Sequence, residues 1–341
     1  MIEVTLRDVS REAGVSLATA DRVLNNRPGV RAKTAERVRS ASARLGYRAN
    51  PFAARLARGA SYRLAFVLPG NANPFMAALA AQVRRTAEHL AAQRAYLDIV
   101  EVAALDPAQL AATLDRLAGE YHGVAVVALE QPDVQAAIDR LVAAGVAVVT
   151  LVSDVPGSQR LRYVGVDNVA AGRTAGLLLG RFATGRAGPV GCVIGSAELH
   201  DHAERLQGFT ALLAEAYPGL RVLPPVSGRD DDARSAQAAA GLLAEHPDLV
   251  GIYAAGAGTA GVARALRQAG RARETIFVAH ELSEAARLLL QDGTLDAIIN
   301  QDAGHEARSA ARILLAHLTG EPILDEQERI RIEIFVRENL P

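Results

Sequence analysis

Cysteine is almost absent from this 341-residue chain: Cys192 stands alone, in the apolar run VGCVIG. A single thiol excludes an internal disulfide and offers no partner thiolate for a metal, so Cys192 reads as a small buried hydrophobe. Lysine is equally scarce, because Lys33 is the only one and arginine carries nearly all the positive charge. No apolar run reaches the ~18 residues that span a bilayer, and the opening MIEVTLRDVSREAG lacks the charged and apolar regions of a signal peptide. These absences predict a cytoplasmic protein with no membrane partner. Catalytic signatures are missing as well: there is no GxSxG elbow, no G-x-x-x-x-G-K-[ST] phosphate loop and no H-E-x-x-H. The chain is therefore read as a non-enzyme, with no catalytic residue, metal or cofactor.

What is present is hydrophobic surface and an uneven distribution of charge. Half of the residues are hydrophobic, enough for a sizeable core and a further small unit. Residues 1–62 hold twelve basic against five acidic side chains, a balance of +7, which leaves −8 for the remainder of a chain whose net charge is −1. A compact basic unit on an acidic body points to a polyanionic partner for the small part.

The first segment reads as three short helices. Thr5 is placed to cap a helix carrying Leu6, Val9 and Ala13 on one face, Gly14 permits a turn, and Ser16 caps a second helix running to about Leu24. A third stretch, from about Ala32 to Leu45, aligns Ala35, Val38, Ala41 and Leu45. On the second helix, the hundred-degree step groups Leu17, Ala18, Asp21 and Arg22 outward, while Ala20 and Val23 turn inward. Arg22 has the fork for a bidentate bond to guanine, and Ser16, Thr19 and Asn25 have short polar ends suited to phosphate.

From Leu64 onward, apolar runs alternate with helical patterns: LAFVL, YLDIVEV, GVAVVAL, VAVVTLV, VGCVIG, VGIYAA, TIFVA and LDAII. That alternation predicts α/β architecture with parallel sheets covered on both faces. The runs are too many for one sheet, and the pattern breaks near 155–162, so two lobes with a cleft between them follow.

The segments TLRDVSREAGVSLATADRVLN and VRAKTAERVRSASARLGYRANPFAARLARG resemble the LacI family of bacterial transcriptional regulators across residues 4–59. Its N-P-x-A-x-x-L hinge is matched by Asn50, Pro51, Ala53 and Leu56. The resemblance implies a helix-turn-helix domain over 1–49, a hinge helix over 50–61, and a two-lobed effector-binding and dimerisation domain over 62–341, with crossings near 155–166, 296–302 and 319–324. It implies contacts to double-stranded, pseudo-palindromic operator DNA from Thr5, Ser16, Leu17, Ala18, Thr19, Asp21, Arg22, Asn25 and Arg31, with Asn50, Ala53 and the wedging Leu56 in the hinge. An apolar wedge flanked by Arg55 and Arg58 suits minor-groove kinking. Asp21 departs from the serine usual in relatives, and either pairs with a nearby arginine or accepts from a cytosine amino group. A hinge of about eight residues is below the ~12–15 at which isolated helices become stable, so it folds only when docked, and two hinges at one palindrome require a homodimer. The chain ends without an apolar heptad tail, which favours a dimer over a dimer of dimers.

The body resembles the type I periplasmic sugar-binding fold of the same family, through NPF at Asn73–Phe75, TLVSD at Thr150–Asp154, VDN at Val166–Asn168 and NQD at Asn300–Asp302. All four stretches sit at strand ends, where open α/β sheets bind ligands. The effector set implied is Asn73, Phe75, Ser153, Asp154, His202, Asp230, His280, Glu281 and Gln301. A sugar, polyol or sugar acid is the class that follows. Against the pentose-binding pattern, the sugar-gripping Asp-Arg pair is Val152-Ser153 here, and the usual arginine falls on Ala203. One rival reading is a nucleotide site at GAGTAG, Gly256–Gly261, with Glu281 near the position for a ribose contact. Another is a periplasmic sugar receptor, which the basic head and the missing export signal oppose.

Overall fold

The computed structural model describes residues 4–24, 27–47, 61–70, 73–196 and 199–341. The chain divides into a small unit, Met1–Ser61 together with Ala92–Arg94, and a large one holding Tyr62–Ala91 and Ala95–Pro341.

In the small unit, α1 (Leu6–Glu12) opens on a capping box: the Asp8 amide donates to the Thr5 hydroxyl and the Thr5 amide donates to the Asp8 carboxylate. Gly14, at φ 60°, turns the chain, and Ser16 then accepts from the Thr19 amide at 3.1 Å to start α2 (Leu17–Leu24). The third helix, α3 (Ala32–Leu45), ends at Gly46 in the left-handed region. Val9, Ala20, Val23, Val38 and Ala41 form the buried mini-core. Arg37 ties α3 to the turn by donating to the carbonyls of Ala13 and Gly14.

The large unit has two lobes. The first contains β1 (Tyr62–Pro69), α4 (Pro74–Ala91), β2 (Ala95–Val102), α5 (Pro107–Leu117), β3 (Gly123–Val126), α6 (Pro132–Ala143), β4 (Ala147–Leu151) and β5 (Arg162–Val164). Its sheet has the order β2-β1-β3-β4-β5 and is parallel throughout. Alternate side chains of β1 feed two cores, Leu64, Phe66 and Leu68 on one face and Ala65 and Val67 on the other, so the strand reads as an unbroken apolar run. Each fully buried Leu or Phe stabilises by roughly 1.5–3 kcal/mol relative to exposure.

The second lobe contains α7 (Asn168–Phe182), β6 (Gly188–Ile194), α8 (His200–Ala216), β7 (Leu220–Val222), β8 (Val226–Ser227), α9 (Asp232–Glu245), β9 (Gly251–Ala254), α10 (Thr259–Gln268), β10 (Ile276–His280), α11 (Glu284–Asp292) and β11 (Ala297–Asn300). After β11 come α12 (Ala303–Thr319), α13 (Asp325–Glu328) and β12 (Glu333–Phe335). The sheet order is β12-β11-β10-β9-β6-β7, with β8 on β6; only β12 runs antiparallel. Cys192 is fully buried in β6, and burial pushes its thiol up to about 12.

The chain passes between lobes before α7, between β11 and α12, and again before β12. The helix α12 belongs to the first lobe's core through Ala307, Ala310 and Leu314. The third passage lies later than the expected 319–324, because Ile330 is still buried in the first lobe's core. Among the described residues, no helix is long and apolar enough to cross a membrane.

Candidate functional site

The carboxyl ends of the strands in both sheets meet at one cavity. The first lobe contributes an apolar wall that includes Phe75, Met76, Val102, Leu105, Leu129 and Val152. Only Asn73 and Ser153 interrupt it with polar side chains. Asn73 already caps α4, its Oδ1 accepting from the Met76 amide at 2.9 Å.

The second lobe contributes a polar wall: Asp201, His202, Arg205, Arg229, Asp230 and Glu281, with Gln301 at the passage between lobes. The placement of Arg205 begins with glycine. A Cβ on Gly172 of α7 would lie 1.9 Å from the Arg205 carbonyl, and one on Gly208 of α8 would lie 2.1 Å from the Val169 carbonyl, so these helices cross backbone to backbone. The contact sets Arg205 beside Asn168, to which its Nε donates at 2.9 Å, and one Nη donates to the Ala255 carbonyl at 3.0 Å. The other Nη lies 3.8 Å from both Asp201 and Glu281. Burial works against the Arg205 charge, but these carboxylates outweigh it and hold the guanidinium above its ordinary pKa.

Burial raises the Glu281 carboxyl to about 7, against the opposing pull of Arg205 and of Gln301, whose Nε2 donates to it at 2.9 Å. Glu306, on the first turns of α12, is fully buried and held well above the usual carboxylate range, first by burial and then by Glu281. Four polar atoms of the cavity's own lining have no hydrogen-bond partner among the described residues: Ser153 Oγ, Asp201 Oδ1, Glu281 Oε2 and Gln301 Oε1. Buried polar groups are seldom left without a partner inside the protein, so four of them at one cavity mark a surface suited to a polar ligand.

Backbone strain gathers at the same place. Among the described residues other than glycine, six have positive φ, and five of them line this cavity: Leu105, Val152, Arg229, Asp230 and Glu281. A β-branched residue at φ 66°, as at Val152, is a genuine outlier. It is held there because its amide donates to the Val164 carbonyl and its carbonyl accepts from Tyr163 Oη at 2.8 Å. Tyr163 Oη in turn accepts from Asn168 Nδ2 at 3.1 Å. Strain of this kind concentrates at ligand clamps.

At the rim, the lobes touch directly. Leu199 packs onto the first lobe's core, and beside it the His200 ring Nδ1 lies 2.6 Å from the Glu130 carboxylate and Nε2 lies 3.2 Å from Glu204. Burial lowers the His200 pKa, and the neighbouring carboxylates more than reverse this, leaving it raised.

Of the residues inferred for the effector, Asn73, Phe75, Ser153, His202, Asp230, Glu281 and Gln301 line the cavity. Asp154 does not: it is occupied by Thr150, the Val155 amide and Arg160. His280 also stands behind the wall, its Nε2 2.7 Å from Tyr253 Oη, and burial drives its pKa well below the ordinary value; it reaches only an adjoining hollow. Sequence reasoning missed Arg205, placing the family's arginine on Ala203 instead. The glycines spaced by four on α7, Gly172 and Gly176, with Gly208 of α8, were the available signal. In the GAGTAG run, Gly261 serves helix packing, since a Cβ there would lie 2.0 Å from the Asp232 carbonyl. Among the described residues, no group of three or more His, Cys, Asp or Glu is arranged to hold a metal ion.

In the small unit, Ser16, Leu17, Ala18 and Arg22 are exposed and Thr19 and Asp21 are half-buried on one helix, with Arg31 exposed at the start of α3. Asp21 is paired with Arg27 at 3.2 Å, the first of the two alternatives for this residue. Thr5 and Ser16 also have capping roles. Asn25, Asn50, Ala53 and Leu56 lie outside the described residues.

Two family models match: the periplasmic binding protein domain over residues 64–322, and the bacterial regulatory proteins of the lacI family over residues 5–50. Catabolite control protein A of Priestia megaterium is 42% identical over 79 residues, which are 23% of this chain and 24% of that protein. The HTH-type transcriptional regulator DegA of Bacillus subtilis is 25% identical over 217 residues, 63% of this chain and 62% of its own. The chain thus spans less than two thirds of the length of these curated relatives. Among solved structures, GanP, a glucose-galactose binding protein from Geobacillus stearothermophilus, superposes with a TM-score of 0.75 at 21% identity, covering 83% of this chain and 99% of its own. A solute binding protein from Burkholderia graminis in complex with D-arabinose gives 0.75 at 24%, covering 82% and 96%.

Proposed function

We infer, from a chain that belongs to the periplasmic-binding-protein domain family and carries a lacI-family regulatory head, that it is a DNA-binding transcriptional regulator controlled by a small molecule. The observation that carries the effector half of this reading is the set of four unpartnered polar atoms facing one cavity. The exposed arc Leu17, Ala18 and Arg22 supports the DNA half. The effector is a sugar, polyol or sugar acid, and the protein acts in the cytoplasm as a homodimer, in the manner of a repressor rather than an enzyme. Both recognition helices and the paired Leu56 side chains grip a pseudo-palindromic operator, and closure of the lobes on ligand changes the hinge spacing and the DNA-competent population. Moving from ~1% to ~99% released requires a ~10⁴-fold preference of the ligand for the released state, which two clefts per dimer would share.

A gel shift on a palindromic fragment from the protein's own promoter tests this at about 0.05 and about 0.2 M salt. Affinity should fall steeply with salt, and Leu56→Ala should weaken it while leaving ligand binding in place. A purified chain that retains no such fragment at either salt, with or without ligand, sinks the reading.

A further inference from the structure

The helix inferred to face DNA carries an acid. Asp21 is the one acidic residue of α2, and it precedes Arg22 on the helix whose exposed arc is Leu17, Ala18 and Arg22. Duplex DNA bears one negative charge per ~1.7 Å of its axis, so a bare carboxylate here would oppose docking to any sequence. It is not bare. Arg27 Nη1 lies 3.2 Å from Asp21 Oδ2. Tyr47, packed on the mini-core from beyond the end of α3, is near enough that burial first, and then the Asp21 charge, raise its phenol.

Arg27 is held at both ends. Its amide donates to the Arg22 carbonyl at 2.7 Å, which ties its backbone to the last turn of α2, while its guanidinium turns back to Asp21. Arg22 makes no ion pair among the described residues, so the two guanidiniums near the end of α2 differ. One is open to DNA and the other is engaged. An exposed ion pair adds little to stability, so its consequence lies in binding: a guanidinium committed to a carboxylate is withheld from phosphate.

We propose that Asp21 is a positioning residue for specificity, acting through Arg27 to withhold one cation from sequence-independent phosphate contacts. On arbitrary duplex the head settles wherever charge pairs best, so a freed Arg27 always finds a phosphate. At the operator, base contacts from Arg22, Leu17 and Ala18 fix the register, and a freed Arg27 gains less. Specificity is a difference of affinities, and weakening the wrong complex raises it as surely as strengthening the right one. The proposal rests on the head being a DNA-binding unit.

Fluorescence anisotropy of the full chain with its own promoter fragment and with a random-sequence duplex, across about 0.05–0.2 M salt, tests it. Asp21→Asn should tighten random-duplex binding about three- to ten-fold and steepen its log–log salt dependence by about 0.9, the value of one added phosphate contact. The gain on the promoter fragment should be smaller. Asp21→Glu should keep the parent's slope. In an Arg27→Ala background, Asp21→Asn should leave the slope unchanged, because no guanidinium is there to release. An unchanged slope or lost binding in Asp21→Asn, the same steepening with and without Arg27, or equal gains on the two duplexes would overturn the proposal. A parent that binds neither duplex discards the regulator itself, whereas a parent that binds both, with variants that match it, discards only the role of Asp21.

Discussion

The two lobes use similar strand-and-helix layers but face their shared cavity in opposite ways. The first lobe lines it with carbon and stores strain in the backbone at Leu105 and Val152. The second lines it with charge and leaves acceptor oxygens unpaired around one guanidinium. A binding site is destabilised relative to a filled core in either case, but the remedy differs: the apolar wall would gain from more permissive backbone, the polar wall from fewer charges. Removing a buried partner should therefore destabilise, whereas relieving a buried charge or a strained backbone should stabilise.

The largest expected effect is at the polar wall. Arg205→Ala should lower stability to urea by about 3–5 kcal/mol at neutral pH, because Asp201, Glu281 and Asn168 lose their buried partner. A loss below about 1 kcal/mol would mean that the guanidinium does not hold this wall together.

Glu281→Gln sharpens the contrast, since it should stabilise. With its carboxyl raised to about 7 from 4.5, the folded protein holds a proton that the unfolded chain has released, so stability falls as pH rises between those values. The variant should gain roughly 1–3 kcal/mol over the parent at about pH 8 and nothing at about pH 4. Parallel stability curves across that range would remove Glu281 from the account.

The smallest effect joins the walls. His200 is faced by Glu130 from the first lobe, by Glu204 on its own helix and by Asp154 beyond the end of β4. Its raised pKa gives stabilisation that is complete below 6.5 and lost as pH climbs through the raised value. Solvent screening limits it to under ~1 kcal/mol. His200→Gln should flatten that part of the pH–melting profile; an unaltered profile would show that the rim pair contributes nothing.

The strands that build the cavity were legible because parallel sheets buried on both faces need long apolar runs, as LAFVL and VAVVTLV supply. Short edge strands were not: β5 is Arg-Tyr-Val and β12 is Glu-Ile-Phe, with no run to see. The arginine of the polar wall was misplaced by two residues because a shift of two on a helix turns a side chain by about 200°, and only the glycine contact between α7 and α8 fixes which residue faces inward. Nothing local marks Val152 for left-handed geometry; Tyr163 and Val164 impose it from outside the segment. Asp154 and His280 were chosen for their polarity, and the structure provides internal partners for both.

Arg205, Asn168, Tyr163 and the Val152 carbonyl form an unbroken series of hydrogen bonds from one lobe to the other. Each bond in such a series polarises the next. A ligand that reorients the guanidinium therefore acts on the carbonyl that shapes the opposite wall, and modifications at the two ends of one ligand should not contribute independently. The sum of two single-site affinity changes should differ from the change produced by both together, with the excess carried through Tyr163.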